Sequence, residues 1–379
     1  MADAADLPPE AYGAALATLP GMGPARLGAL AHTWSLAEAW GRVADGTAVD
    51  EPAVARALGT AGAGLPGAWA AAARRTDPAA VLAAHAAAGV GVSVLGGATY
   101  PGALAGDLEP PVVLFHQGRL GALDGPRVAI VGTRGCTAYG REVARDLGRD
   151  LAEAGVRVVS GLALGIDGAA HTGALRAGRA PVVGVVGSGH DVVYPRRHRD
   201  LWQRVATEGL LLSEAPLGSA PERWRFPSRN RLLAALADAV VVVESRRSGG
   251  SLYTVDAALE REVPVLAVPG PVSSPASEGT NHLLGEGALL CQCAADVLTL
   301  LGLSAAASSR GRADPRPPPT GVDREVLDAL GRRPAALEQL AVRSGLGLAD
   351  LAAALQRLEA AGWVTADGGW YEQVGRPDR

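Results

Sequence analysis

The segment 128–170 constrains the fold of this chain more than any other stretch. An apolar run at 128–131 leads into a glycine-containing turn, an amphipathic pattern follows over 139–154, and a second apolar run occupies 156–159. This order predicts a strand, a helix and a second, parallel strand. Open α/β sheets bind ligands at the carboxyl ends of their strands, where helix amino termini favour anions. The expected ligand therefore carries phosphate, as a nucleotide or as the backbone of a nucleic acid.

Strand and helix patterns alternate strictly from residue 125 to about residue 301. Strands are predicted at 128–131, 156–159, 182–186, 210–212, 239–243 and 264–268, with a less regular one near 289–291. Helices are predicted between them at 139–154, 168–178, 197–208, 229–237 and 253–262. Because the strands are apolar throughout, we expect a Rossmann-like, mostly parallel sheet with helices on both faces.

The rest of the chain predicts smaller modules around this core. The expected segments are an N-terminal helical domain (1–65), a lead-in segment (66–124), the core (125–303), a Pro-rich linker (304–321) and a winged helix (322–379). The N-terminal domain contains a Gly-rich hairpin at 19–26. That hairpin is typical either of a phosphate-binding helix-hairpin-helix turn or of a plain turn between packed helices.

Composition excludes several classes of protein. No apolar run reaches the length of about 20 residues that spans a bilayer, and the acidic amino terminus lacks a secretory pattern. Cys136, Cys291 and Cys293 form neither a disulfide framework nor a zinc pattern. We expect a cytoplasmic protein that has no structural metal and no contact with membranes. All 35 basic residues are arginine and the net charge is −4, so an anion site must use guanidinium groups or backbone amides.

Four small-residue turns follow predicted strands, at 132–134, 160–165, 187–189 and 246–251. The carboxyl ends of parallel strands meet at one sheet edge, so we expect these turns to lie together. A single glycine turn is usually ordinary loop geometry. Several at one edge favour a nest of backbone amides that binds anionic oxygens.

Arginine and aromatic residues alternate in the segment 223–231. Arg225, Phe226, Arg229 and Arg231 belong to this acid-free stretch, which is typical of a grip on single-stranded nucleic acid by charge and base stacking. The alternative is a solvated helix start with structural aromatic residues. A second basic cluster, Arg196 and Arg197, follows Tyr194 on a neighbouring loop.

The sequence contains no pattern for catalysis. No histidine is placed beside a serine or cysteine nucleophile, so no catalytic residue and no cofactor are predicted. Asp167 is expected to cap a helix amino terminus. His171, one turn further along the same helix, is within reach of Asp167 and predicts a structural pair.

Several motifs in the same order resemble the DNA-processing protein A (DprA, also called Smf) family of bacteria. They are Gly132-Thr133-Arg134, 160–167 with Ala170-His171, Tyr194-Pro195, 212–214, 226–231, 248–252, 268–271, 274–277 and 279–281. The resemblance implies a homodimer, formed through the Rossmann domain, that binds single-stranded DNA. It also implies a role in loading RecA recombinase during natural transformation or recombination.

The resemblance also implies which positions contact DNA. Arg134 matches an arginine that contacts phosphate at the first turn, and 194–197 falls at a second contact loop. The remaining matched positions line the same pocket: Gly161, Gly165, Arg229, Asn230, Arg231, Ser248 and Gly249. Two departures are Leu164, where the family usually has a basic residue, and the additional glycine Gly250. The first removes a charge from the expected groove.

Two further interpretations are weighed against strand binding. A nucleotide-cleaving, phosphoribohydrolase-like enzyme would need a Gly-Gly-x-Gly-Thr-x-x-Glu loop, but this chain has Ser251-Leu252 at the glycine-threonine step and Glu260 lies too far along the helix. A dinucleotide-dependent oxidoreductase would need a full glycine fingerprint after 128–131, which this chain lacks.

The third helix of the winged module, 347–361, contains one cation, Arg357, and two acids, Asp350 and Glu359. This balance favours a contact with protein over the reading of DNA.

Overall fold

The computed structural model describes residues 7–303, 316–331 and 334–374. The chain divides into two compact units, Met1–Ser308 and Ser309–Arg379. Most of the predicted Pro-rich linker, 304–315, lies outside the described residues. Within the described residues, no helix is both long enough and apolar enough to cross a lipid bilayer.

The first unit combines fourteen α-helices with nine strands among its described residues. The helices are α1 (Pro9–Ala17), α2 (Pro24–Thr33), α3 (Leu36–Asp45), α4 (Pro52–Leu58), α5 (Leu65–Ala73), α6 (Pro78–Ala87), α7 (Gly102–Ala105), α8 (Ala138–Glu153), α9 (Ile166–Ala177), α10 (Arg199–Glu208), α11 (Arg225–Ala235), α12 (Leu252–Glu260), α13 (Glu278–Gly285) and α14 (Ala294–Leu300). The strands are β1 (Gly91–Val94), β2 (Val113–Gly118), β3 (Arg127–Val131), β4 (Arg157–Ser160), β5 (Val183–Val185), β6 (Leu210–Ser213), β7 (Ala239–Val242), β8 (Val265–Ala267) and β9 (Leu289–Leu290).

All nine strands form one sheet in the order β1-β2-β6-β5-β4-β3-β7-β8-β9. The pairs β1–β2 and β2–β6 are antiparallel, and every pair from β6 to β9 is parallel. The predicted mostly parallel sheet is therefore confirmed. The strand order runs outward from β3 to β6 on one side and from β7 to β9 on the other. This reversal opens a crevice between the ends of β3 and β7.

The strands β3 to β8 are buried on both faces because helices cover both sides of the sheet, whereas the edge strand β9 is exposed. Ile130 packs with Leu147 of α8 and Val297 of α14 on one face. Its neighbour Ala129 faces the opposite side, in a cluster that includes Leu232 of α11 and Val255 of α12. Successive side chains of a strand point to opposite faces, so a continuous apolar run fits a sheet that is covered twice.

The N-terminal helices pack on the antiparallel edge of the same sheet. Leu16 of α1 and Trp69 of α5 lie in one buried cluster with Phe115 of β2. The Trp69 indole N–H donates to the Pro20 carbonyl oxygen at 2.8 Å, which fixes the loop before α2. The expected boundary at residue 124 falls between β2 and β3, two strands of one sheet.

The predicted elements agree closely with the observed ones, with one consequential difference. Helix α11 begins at Arg225 rather than at residue 229, so most of the arginine-aromatic segment is helical. Proline is tolerated in the first turn of a helix because its missing N–H has no partner there, and Pro227 occupies that turn. The arginines and aromatic rings of this segment therefore point in directions set by a helix.

The second unit is a winged helix, as predicted. It contains α15 (Val322–Leu330), α16 (Leu337–Ser344) and α17 (Leu348–Ala360), with β10 (Ala335–Ala336), β11 (Val364–Asp367) and β12 (Trp370–Gln373). The strands pair in the order β10-β12-β11. In α17, the Arg357 guanidinium donates to both carboxylate oxygens of Asp323, at 2.5 and 3.1 Å. The one cation of this helix is thereby neutralised within the module.

Candidate functional site

A cleft of about 380 Å³ lies at the crevice between the ends of β3 and β7. We call it the switch-point cleft. Its lining includes Thr133, Arg134, Arg229, Asn230, Ser248 and Gly249. Three of the four predicted glycine turns contribute to it, whereas the turn 187–189 lies behind it against Arg225 and Arg229.

Glu244 joins the two loops that flank the cleft. Its carboxylate accepts hydrogen bonds from the Thr137 backbone N–H at 2.9 Å and from the Thr137 hydroxyl at 2.5 Å. The Thr133 N–H donates to the Glu244 carbonyl oxygen at 2.8 Å. A Cβ at Gly140 would overlap the Glu244 carboxylate, so only glycine fits beside this buried acid. The first turn and the end of β7 are thus fixed relative to each other.

The loop 246–251 presents backbone amides to the cleft. The Ser251 hydroxyl donates to Ser245 Oγ at 2.9 Å, and Asn230 Nδ2 donates to the Gly250 carbonyl oxygen at 3.1 Å. Within the described residues, the N–H groups of Ser248 and Gly250 have no acceptor. Helix α12 begins directly after this loop, so its positive end adds to the amide nest. The loop is suited to bind anionic oxygens.

Arg229 lines the cleft, but its side chain is almost entirely buried. It is 7% exposed; its guanidinium donates to the Val185 carbonyl oxygen and, through Nε, to Asn230 Oδ1 at 3.2 Å. Burial lowers the pKa of Arg229 to about 10, and the nearby Asp167 carboxylate opposes that shift. A Cβ at Gly161 would overlap this guanidinium. Arg229 therefore connects the ends of β4 and β5 to α11.

Asp167 supports the same arrangement from α9. It is 5% exposed and accepts a hydrogen bond from the Gly161 N–H at 3.2 Å. Burial raises its pKa, and the Arg229 charge works in the opposite direction. Two predictions are wrong here. Gly165 occupies the cap position, and His171 contacts the Val183 carbonyl oxygen at 3.1 Å instead of Asp167. Asp167 is paired with the Gly161 N–H and His171 with the Val183 carbonyl oxygen, so the two side chains have separate partners.

Gly165 closes the loop that follows β4. Its φ of +81° is in the left-handed region, and a Cβ there would lie 2.7 Å from the Arg134 carbonyl oxygen. Only glycine lets this loop approach the first turn so closely. Gly161 and Gly165 thus shape the site because they have no side chain, which leaves room for Arg229 and for the backbone of the first turn.

Arg134 and two aromatic rings form the mouth of the site. The exposed Arg134 guanidinium lies 4.9 Å from the centre of the Phe226 ring. The ring centre of Tyr194 lies 5.6 Å from that of Phe226, with an angle of 45° between the rings. Tyr194 is 39% exposed, and the partly exposed Leu164 lines the same small pocket. Charge and aromatic surface therefore meet at one opening.

Two exposed arginines follow Tyr194 in the sequence. Arg196 and Arg197 lie on the short turn before α10, and their side chains make no hydrogen bond or ion pair within the described residues. The site predicted from the sequence omitted Arg246, which is exposed and lines the switch-point cleft, and Tyr253, which is 58% exposed at the start of α12. Both residues could have been found from the sequence, because they lie next to the Ser-Gly-Gly-Ser loop.

Two predicted residues point away from the switch-point cleft. Arg231 donates to Glu214 Oε1 at 2.5 Å and to the Glu109 carbonyl oxygen at 2.9 Å. Arg225 lies 4.5 Å from the Trp224 ring centre and 3.6 Å from the Glu222 carboxylate. On a helix, residues four apart share a face, so Phe226 and Asn230 face the cleft while Arg231 faces a neighbouring one.

The fold and the site together define a class of protein. It is a doubly wound α/β protein with an amide nest, exposed guanidinium groups and aromatic rings at its switch point. Within the described residues, no three histidine, cysteine or carboxylate side chains form a group that could hold a metal ion. Amides and guanidinium groups suit an anionic ligand, and the aromatic side chains suit a ligand that contains planar rings.

Comparison with known proteins identifies the family. Residues 91–302 match the family model described as DNA recombination-mediator protein A, and residues 310–369 match the DprA winged helix domain. Protein Smf of Escherichia coli is 35% identical over 283 residues, covering 73% of this chain and 75% of Smf. The chain belongs to the DprA/Smf family.

Solved structures agree with this assignment. The X-ray structure of DprA from Streptococcus pneumoniae has a TM-score of 0.62 and 30% identity, covering 77% of this chain and 98% of its own. A structure of DprA from Helicobacter pylori, described as showing a unique single-stranded DNA binding mode, has a TM-score of 0.50 and 32% identity. It covers 55% of this chain and 95% of its own.

Proposed function

We propose that this protein binds single-stranded DNA at the switch-point cleft. The carrying observation is the placement of exposed Arg134 against Phe226, with Tyr194 beside it, at the mouth of an amide nest. Cations and amides suit phosphates, and aromatic rings suit bases that are not paired. A duplex hides the faces of its bases, so this combination favours a single strand.

The basic groove is local. The chain has a net charge of −4, yet the exposed Arg134 and Arg246 line the switch-point cleft. The exposed Arg196 and Arg197, on the loop after Tyr194, are proposed to extend this basic surface. Counterions are released when such groups neutralise phosphates, so affinity is expected to fall steeply as salt rises. Ser248 and Gly249 are proposed to contact phosphate through their loop, and Asn230 to hold that loop in place.

In the cell, we propose that strand binding protects incoming or recombining DNA in the cytoplasm and helps load RecA recombinase. The family description and the single-strand binding described for the Helicobacter pylori relative support this role. We also propose a homodimer through the Rossmann domain. The two-residue edge strand β9 exposes Leu289 and Leu290, at 45% and 49%, where a second copy would cover them.

A nucleotide-cleaving enzyme is the alternative function, because the cleft is also large enough for a nucleotide. Its acid would have to come from α12, which carries Asp256 and Glu260. Glu260 lies at the far end of the helix and is 71% exposed, and the exposed Asp256 is not among the residues that line the cleft. Asp167 lines the cleft, but it is only 5% exposed and already accepts a hydrogen bond from the Gly161 N–H. We therefore propose a binding protein without turnover.

An equilibrium titration tests the proposal. A labelled single-stranded oligonucleotide is followed by fluorescence anisotropy at two salt concentrations, with unlabelled duplex as competitor. Salt-sensitive binding that duplex does not displace supports strand binding. Absence of binding at low salt, together with release of free base from nucleoside monophosphates, would favour the enzyme instead.

A further inference from the structure

A second and larger cleft, of about 1100 Å³, lies between the start of α2 and the first turns of α11. We call it the hairpin cleft. Its polar and aromatic lining includes Arg26, His32, Glu109, Glu214, Trp224 and Arg231. Pro227 lines both this cleft and the switch-point cleft, so the two adjoin at one residue. A strand that leaves the first cleft across Pro227 enters the second.

Trp224 forms a prebuilt aromatic wall of the hairpin cleft. Its indole N–H donates to Glu222 Oε2 at 2.5 Å, and the Arg225 guanidinium lies 4.5 Å from the ring centre. A Cβ at Gly23 would be 3.3 Å from the ring, so the hairpin backbone lies closely against it. Despite these three contacts Trp224 remains 43% exposed. The ring is held in place while it presents aromatic surface.

The charges of the hairpin cleft balance. Arg26 and Arg231 are opposed by Glu109 and Glu214. Burial raises the pKa of Glu214 to about 7, although the Arg231 charge works against that shift, so its carboxylate balances Arg231 fully only above that pH. Above pH 7, neither a phosphate nor a cation finds a net complementary charge. Arg26 Nη1 already donates to the Gly21 carbonyl oxygen at 2.6 Å. Arg231 is occupied by Glu214 and the Glu109 backbone. The cleft therefore favours a neutral ligand.

Hydrogen-bond acceptors remain available in this cleft. Glu214 uses Oε1 for Arg231, and its Oε2 has no hydrogen-bond partner within the described residues. The Glu109 side chain is 71% exposed, with only a loose contact of 3.6 Å to Arg231 Nε. Carboxylates accept hydrogen bonds from the exocyclic amino groups of nucleobases, for example the N4 amine of cytosine.

We propose that the hairpin cleft is a nucleobase subsite that takes amino-bearing bases from the strand held in the switch-point cleft. The inference rests on the proposed function and extends it, because it adds a base-binding subsite beside the N-terminal helices. A flat, neutral ring with N–H donors matches the Trp224 wall and the two carboxylates. Thymine lacks the exocyclic amine and fits less well.

Paired oligonucleotides test this assignment. Labelled oligo(dC) and oligo(dT) of about 15 nucleotides, within the range of single-strand site sizes, are titrated under identical salt. The wild-type protein is expected to bind oligo(dC) about 3- to 10-fold more tightly, as one or two net hydrogen bonds would give. Glu109→Ala is expected to lower this ratio, and Trp224→Ala to weaken binding of both oligonucleotides.

Glu260→Ala is the matched control, since Glu260 is also 71% exposed but lies outside both clefts. It is expected to keep the wild-type ratio. Circular dichroism melting checks that each variant is folded. If both oligonucleotides bind and Glu109→Ala leaves the ratio unchanged, the subsite is overturned while strand binding stands. If neither oligonucleotide binds at low salt, the proposed function fails along with it.

A basic protein segment is the competing occupant of an acceptor-rich cleft. A labelled tetra-arginine peptide is titrated against the wild-type protein and Glu109→Ala. The nucleobase subsite is overturned if Glu109→Ala abolishes peptide binding and both proteins bind oligo(dC) and oligo(dT) equally. That result would assign the cleft to a protein partner. Failure of the peptide to bind, with the expected ratios, supports it.

Discussion

The guanidinium of Arg229 occupies the space that Gly161 leaves by having no side chain. This relationship connects the loop after β4 to α11 across the carboxyl edge of the sheet. Asp167 contributes from a third element by accepting the Gly161 N–H. The buried Arg229 and Asp167 thus hold the loops that form the candidate site. These loops in turn position exposed cations such as Arg134.

Gly161→Ala is expected to destabilise the fold and weaken strand binding together. The new methyl group would overlap Arg229, and overpacking of a buried site costs about 1–3 kcal/mol. Urea unfolding and oligonucleotide titration measure the two effects. Gly135→Ala serves as the control because a Cβ there meets no atom within 4 Å. Equal stability of the two variants would show that Arg229 moves aside freely.

Arg134→Ala is expected to weaken binding without destabilising the fold. The side chain is exposed, so the free energy of unfolding should change by no more than about 0.5 kcal/mol. Loss of one phosphate contact should reduce the slope of log K against log salt by about 1. Arg179→Ala, an exposed arginine on the loop before β5 at the opposite sheet edge, should leave the slope unchanged. A wild-type slope for Arg134→Ala would remove Arg134 from the interface.

Arg229→Ala should behave differently from Arg134→Ala because the side chain is buried. Its removal leaves the Val185 carbonyl oxygen and Asp167 without their partner, and such losses cost about 3–5 kcal/mol when a buried charge is left unpaired. Thermal melting should show a clear loss of stability. If the variant melts like the wild-type protein but binds DNA poorly, Arg229 contacts the strand directly.

Acid should destabilise the protein through His171. Burial lowers the pKa of His171 to about 4, below its ordinary value near 6.5. Between these values the unfolded chain takes up a proton that the folded chain does not, so stability is lost as pH falls from about 6.5 toward 4. Between pH 7 and 5, His171→Gln should remove about 2 kcal/mol of that loss in urea titrations. The exposed His32→Gln should not, and an equal effect of both variants would contradict the assignment.

Much of the fold follows from local pattern, since apolar runs of four or five residues predict buried strands. The order of the strands does not, because hydrogen-bond partners such as β3 and β7 are distant in sequence. The site divides in the same way. The glycine turns can be read from the sequence, and Arg134 was assigned to the site through the family resemblance. The burial of Arg229 could not be predicted, because arginine is normally exposed. The sequence predicted that α11 begins at residue 229, whereas it begins at Arg225. The different directions of Asn230 and Arg231 could therefore not be predicted.

Hydrogen exchange with and without an unlabelled oligonucleotide tests the central claim most directly, because it locates the bound strand. Strand binding at the switch-point cleft should protect peptides that contain the turn 132–135, the loop 194–197, the first turns of α11 and the amide nest 246–251. Peptides at the opposite sheet edge, such as those around Gly125 and Arg179, should exchange as in the free protein. Binding without protection at the nest, or protection confined to the opposite edge, would place the strand elsewhere and contradict the account.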